Sequence, residues 1–215
     1  MSNARGTILS AADHGRISDA IRKAEAETTG EIVCVLARSS DDYFFPAAFF
    51  LALGAMAASL LVGLWIDQTW HTLRFWQFVA TQIVAVGSLM LVIWWWPALR
   101  IHLVPRRLRY LRAHRAAVAQ FLATNIHATR GRTGVLVFVS LAEHYAEVVA
   151  DAGINARVPQ ERWNAVVGHL VAHAAKDEIV EGFELVIAEV GTLLCAEFPR
   201  GKDDPNELED RLVEI

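Results

Sequence analysis

The residues in this chain best able to do chemistry are few and widely spaced. Asp151 stands in VVADAGI, Val148 to Ile154, where two β-branched residues run toward the carboxylate and a glycine follows two places later. An aspartate at a strand end suits a hard cation such as calcium, which takes about 6–8 oxygen ligands. Sites in small α/β domains also gather on loops at strand ends. One carboxylate does not make such a shell. Backbone carbonyls, water, Asn155 or a carboxylate distant in sequence (Glu31, Asp41 or Asp42) would have to complete it. A turn capped by side-chain hydrogen bonds accounts for Asp151 equally well, with Gly153 permitting an unusual backbone turn. His169 and His173 are four apart, which puts two imidazoles on one helix face. The segment HLVAH lacks the glutamate of H-E-x-x-H, so both read as partly exposed helix positions. His144, in AEHY, reads as a turn residue.

Other chemistries lack their residues. There is no G-x-G-x-x-G and no G-x-x-x-x-G-K to cradle phosphate. A cysteine phosphatase loop wants an arginine six residues after its cysteine, and those positions hold Ser40 and Gly201. No D-x-D pair, G-x-S-x-G elbow or C-x-x-C occurs. Cys34 and Cys195 each sit in an apolar segment and read as reduced core residues. A net charge of −4 and a pI near 6.1 argue against a nucleic-acid binder.

These residues must be positioned by a fold whose composition is uneven. The chain is 54% hydrophobic with a mean hydropathy of +0.30, above the roughly 45–50% of soluble domains. The excess lies between Phe44 and Trp96. PAAFFLALGAMAASLLVGLW, Pro46 to Trp65, carries no charge, and FWQFVATQIVAVGSLMLVIWWW, Phe75 to Trp96, is interrupted only by Gln77, Thr81, Gln82 and Ser88. Each reaches the roughly 20 apolar residues a helix needs to cross a bilayer. Tyr43, Phe44 and Phe45, then Trp65, Trp70 and Trp76, then Trp94 to Trp96 stand where interfacial aromatics are expected. The short connector IDQTWHTLR makes the two spans a hairpin. Small residues Gly54, Ala55, Ala58, Ser59 and Gly63 offer a face for close helix approach, within the hairpin or in a dimer. No charge inside the spans marks a transport path.

After the second span, Arg100, Arg106, Arg107, Arg109, Arg112 and Arg115 follow closely, whereas the connector holds only Arg74. Positive residues stay cytoplasmic, so both termini are expected on the cytoplasmic face of the inner membrane. Arg100, Arg106, Arg107 and Arg109 could also meet anionic lipid headgroups. The N-terminus, MSNARGTILSAADHGR, has no apolar core and does not read as a signal peptide.

Around the hairpin the pattern is α/β. Ile17, Ala20, Ile21 and Ala24 have helical spacing. EIVCVLA, Glu31 to Ala37, and GVLVFVSL, Gly134 to Leu141, are unbroken apolar runs that read as strands covered on both faces. Tyr145 to Ala150 is a third strand, antiparallel to the second. Pro105 suits the first turn of a helix with Leu108, Leu111, Val118, Leu122 and Ile126 as its inner stripe. Helices with Trp163, Val166, Val167, Leu170, Val171 and Ala174, and with Ile179, Phe183, Val186, Ile187, Val190, Leu193 and Leu194, follow. A parallel first pair implies a right-handed crossover, with helices on both faces of a small mixed sheet. The expected organisation is one interrupted domain. Residues 1–43 hold its first helix and strand, 44–97 the membrane hairpin, 98–199 the remainder, and 200–215 an acidic, solvated tail.

TTGEIVCVLA, RTGVLVFVSLAEHYAEVVADAGI, the helix from Trp163 and the ending FPRGKDDPNELED together resemble the TPM domain, in its bacterial membrane-anchored branch, where a hairpin interrupts the domain after the first strand. The resemblance covers almost the whole chain and implies an α/β/α sandwich. A plant chloroplast-lumen member of that family is described as an acid phosphatase, with calcium binding attributed to acidic residues. Other members act as auxiliary proteins beside membrane complexes. Asp151-Ala152-Gly153 matches the family's D-x-G, so an implied calcium site rests on Asp151. Two functions are therefore expected to compete: a non-enzymatic accessory module on the membrane, and a calcium-dependent phosphatase. The lack of a nucleophile or a paired acid and base favours the first.

Overall fold

The computed structural model describes residues 7–68, 74–129, 131–201 and 208–215. They form two compact units. One comprises Met1–Ser40 with Tyr110–Ile215, the other Asp41–Arg109.

The first unit is built on a four-stranded mixed sheet in the order β3-β2-β1-β4. β1 (Glu31–Ala37) and β2 (Gly134–Ser140) pair in parallel from Glu31 opposite Gly134 to Ala37 opposite Ser140, and every residue of both is buried. The unbroken apolar runs are explained by cover on both faces. β3 (Tyr145–Ala150) returns antiparallel to β2 and forms one edge. On one face Ile32, Cys34, Leu36, Val135, Val137 and Val139 pack with Ile17 and Ile21 of α1 (Ala11–Glu25), with Trp163, Val166 and Leu170 of α7 (Gln160–Ala174), and with Phe183, Val186, Ile187, Val190 and Leu194 of α8 (Ile179–Glu197). On the other, Val33, Val35, Leu136 and Phe138 pack with Ala117 and Phe121 of α5 (Arg106–Ala123) and with Ile126 in a short 3-10 turn. Cys34 is fully buried, which pushes its thiol pKa up, and both cysteines are free thiols.

Two expectations are corrected in this unit. The tail is not wholly solvated: Leu212–Glu214 form β4, parallel to β1. Three residues suffice because Leu212 is buried, the Ile215 N–H donates to Leu36, and Glu214 accepts the N–H groups of Ile8 and Leu9. The inner face of α5 also differs. Ala113, Ala117 and Phe121 are buried, while Leu111 and Leu122 are exposed. The i, i+4, i+8 set with two alanines lets the helix approach closely and leaves Phe121 to fill the core.

The second unit holds α2 (Phe44–Gln68), α3 (Phe75–Trp95) and α4 (Pro97–Leu103). Phe44–Ile66 and Phe75–Trp95 are long and apolar enough to cross a membrane, and they pack against each other. Unlike the helices packed on the sheet, they leave large apolar side chains in the open: Phe49 is 63% exposed, Leu60 63%, Trp65 67% and Ile83 68%. Charge is absent from these faces, so water is a poor solvent for them. Phe45, Trp76 and Trp94–Trp96 are exposed at the span ends. Tyr43 departs from the expected aromatic belt. Its φ of 56° turns the chain, and its ring is buried with Ala47 and Val104. Trp70 lies outside the described residues.

Candidate functional site

Asp151 follows directly on β3 and precedes the four-residue helix α6 (Ala152–Asn155). Its backbone N–H donates to the Gly134 carbonyl at 2.9 Å, and its own carbonyl accepts from Ile154 and Asn155. One carboxylate oxygen, Oδ1, accepts the Ala152 N–H at 2.6 Å. This is an N-cap, satisfying a donor the helix cannot satisfy itself. The second oxygen, Oδ2, is buried with no hydrogen-bond partner in a residue only 8% exposed. A buried carboxylate oxygen without a donor is costly.

Gly153 is needed for space, not for an unusual turn. It lies within α6, and no glycine has positive φ among the described residues. A Cβ there would stand 2.5 Å from the Arg132 carbonyl oxygen and 3.0 Å from that of Gly131. At Gly134 the space for a Cβ is already filled by Ile126. Two backbone carbonyls therefore face the turn that carries Asp151.

The carboxylates that could join Asp151 are distributed unevenly. Glu31 pairs with Gly134, to which Asp151 is bonded, so all three share one end of the sheet. Two strand spacings separate Glu31 from Asp151, about 10 Å. Asp41 and Asp42 follow the opposite end of β1 in the chain. They are spent on the turn into α2, where Asp41 accepts from the Asp42 N–H and Asp42 from the Phe44 N–H. Asn155 donates its amide to the Ala150 carbonyl at 2.7 Å. No group of three His, Cys, Asp or Glu side chains able to hold a metal occurs among the described residues. A cation at Asp151 would depend on Oδ2, backbone carbonyls and water.

The histidines are used elsewhere. His169 Nδ1 meets Glu189 at 2.8 Å and links α7 to α8, and His173 Nδ1 donates to the His169 carbonyl. His144, at φ 50°, lines a cavity of about 260 Å³ at the other end of β2 with Ser140, Tyr145 and Asp177. Beside it is a network that spacing did not suggest. Glu143, 2% exposed, accepts from the Ser140 and Ser39 hydroxyls and from the Ser40 N–H. Its acceptors are engaged in tying the β2–β3 turn to the residues after β1.

At the membrane-flanking arginines the structure is specific about Arg100. Its Nε donates to the Ile93 carbonyl at 2.9 Å, a further N–H reaches the Trp94 carbonyl, and the guanidinium lies 5.2 Å from the Phe44 ring centroid. It caps the last carbonyls of α3, where a cation is also favoured by the helix dipole. Arg106 and Arg107 are exposed, and the Arg109 Nε is buried without a hydrogen-bond partner.

No protein-family model matches the chain, and no curated protein matches it. Among solved structures, the NMR structure of the BA42 protein from the psychrophilic bacterium Bizionia argentinensis is similar in fold. Its TM-score is 0.60 over 100% of each chain, at 19% sequence identity.

Proposed function

We propose that this chain is a membrane-anchored accessory module of the TPM type, without catalysis of its own. Its hairpin crosses the inner membrane, and the α/β/α sandwich stands on the cytoplasmic side, where it binds a membrane complex or a cytosolic protein. The observation that carries the reading is the pair of charge-free helices with exposed apolar side chains, inserted between two strands that pair with each other. Arginine on the flanks and near absence of it from the connector support the cytoplasmic placement. Arg106, Arg107 and Arg109 supply the contact with anionic headgroups, with Arg100 committed to α3. Affinity capture of the full chain in mild detergent tests the role. Recovery of the same stoichiometric partner with wild type and with Asp151→Asn supports it. Turnover of a phosphate ester that Asp151→Asn abolishes contradicts it.

One observation favours the second reading, a calcium-dependent phosphatase. Asp151 Oδ2 is buried with no donor, which leaves its lone pairs available to a cation. Bound calcium would polarise a phosphate oxygen and lower the pKa of an attacking water. Calorimetric titration of calcium into detergent-purified protein tests it. Binding at micromolar calcium that Asp151→Asn removes supports the site, and no binding at millimolar calcium eliminates it.

A further inference from the structure

The hairpin carries a groove on one face, about 960 Å³ in volume, between α2 and α3. Leu53, Met56 and Leu60 form one wall, and Phe78, Ile83 and Gly87 belong to the other. Gln82 also lines it, about 10 Å along α3 from its start at 1.5 Å per residue, which lies inside the hydrocarbon if α3 spans the bilayer. The hydroxyls of Ser59, Thr81 and Ser88 each donate to a carbonyl of their own helix. The Gln82 carboxamide has no such outlet: among the described residues it makes no hydrogen bond. In hydrocarbon there is no water to satisfy it, and an unsatisfied polar group there is expensive. A Cβ at Gly87 would meet nothing within 4 Å, so the groove floor is open to close approach.

We infer that this groove is the interface for a second copy of the same chain, with the two Gln82 carboxamides hydrogen-bonded to each other across a two-fold axis along the membrane normal. Two features select this occupant. A carboxamide carries both donor and acceptor, so it is complementary to itself. An isologous two-fold also brings identical residues together at identical depth, so a second copy always presents a polar partner where Gln82 needs one. Neither an acyl chain nor an arbitrary apolar helix does. Two hairpins joined at this face make a four-helix bundle. The inference rests on the proposed membrane insertion.

The experiment uses the full chain in liposomes at low protein density. Alkaline carbonate extraction establishes insertion first. Dimer fraction is then read by fluorescence transfer between labelled copies, for wild type, Gln82→Leu, Gln82→Asn, Gly87→Leu and the control Val84→Leu, which is exposed on α3 away from the groove. Ile83→Cys and Val84→Cys report which face is joined by oxidative cross-linking. The expected result is an inserted dimer that Gln82→Leu and Gly87→Leu each weaken roughly threefold to tenfold. Gln82→Asn and Val84→Leu preserve it, and it cross-links through Ile83→Cys but not Val84→Cys. An inserted monomer, with or without tightly held lipid, overturns the dimer while leaving membrane anchoring intact. So does a dimer indifferent to Gln82→Leu. Extraction by carbonate removes both.

Discussion

Arg100 donates to the carbonyl of Ile93 across 2.9 Å, seven residues back along the chain. The first basic residue after the second span is thereby bound to the end of the span itself. Replacing it with glutamine removes the cap on the α3 carbonyls and the contact with the Phe44 ring. We expect a loss of about 1–2 kcal/mol in stability, read as a lower thermal midpoint in detergent, with Arg100→Lys in between. An unchanged midpoint for Arg100→Gln would return this residue to the headgroup patch.

Asp151 has two oxygens in different circumstances, and two substitutions separate them. Asp151→Ala loses the cap on Ala152 and costs about 1 kcal/mol, whereas Asp151→Asn caps nearly as well. Thermal unfolding of the two variants checks this. With stability preserved in the asparagine variant, any calcium binding it loses reports on ligation. Gly153→Ala is the harsher change. Its methyl meets the Arg132 carbonyl at 2.5 Å, and overpacking of this kind costs about 1–3 kcal/mol. A midpoint equal to wild type would mean that α6 is free to shift.

The carboxyls of Glu25 and Glu214 are shifted in opposite directions. Burial pushes the Glu25 carboxyl up to about 9, against the hydrogen bond from the Ile32 N–H and with help from the charges of Glu31 and Asp210. Its folded pKa is raised, so its contribution is whole below about 4.5 and is lost as pH rises toward 9, at most on the order of 1.4 kcal/mol per pH unit. Glu25→Gln should flatten the fall in stability over that window. An identical pH profile for the variant would contradict a protonated Glu25.

For Glu214 burial acts upward, but the Ile8 and Leu9 N–H groups and His14 outweigh it and hold the carboxyl below its usual value. This contribution is present above about 4.5 and is lost as pH falls through the folded value. Glu214→Gln should lower stability at neutral and alkaline pH and make the fall toward acid shallower, the difference from wild type vanishing at low pH. Deleting the last four residues should do more, because it strips β4 from the β1 edge. A truncated protein as stable as wild type would restore the solvated tail that composition suggests.

The charge-free spans and the runs EIVCVLA and GVLVFVSL were legible because a single environment dictates every residue in them. β4 was not, since LVE is three residues inside EDRLVEI and its partner lies some 180 positions earlier. The inner face of α5 was misread for a related reason. Leucine outranks alanine in hydropathy, yet close packing on a sheet rewards the alanine row Ala113–Ala117. Asp151 could be placed at a strand end from its neighbours alone. The role of Gly153 could not, because the Arg132 carbonyl that excludes a side chain there is supplied by a different segment. Gln82 was visible as a polar interruption, but not as one that faces a groove.

The central claim is a hairpin that crosses the membrane twice and leaves both flanks on the cytoplasmic side. Single cysteines at Gln68, beside the connector, and at Gly201, in the C-terminal segment, test it in intact spheroplasts with a membrane-impermeant maleimide, above the background of Cys34 and Cys195. The account predicts that Gln68→Cys is labelled from outside, while Gly201→Cys is labelled only after the membrane is opened. Labelling of Gly201→Cys in intact spheroplasts, or of neither site with the protein in the soluble fraction, would contradict it.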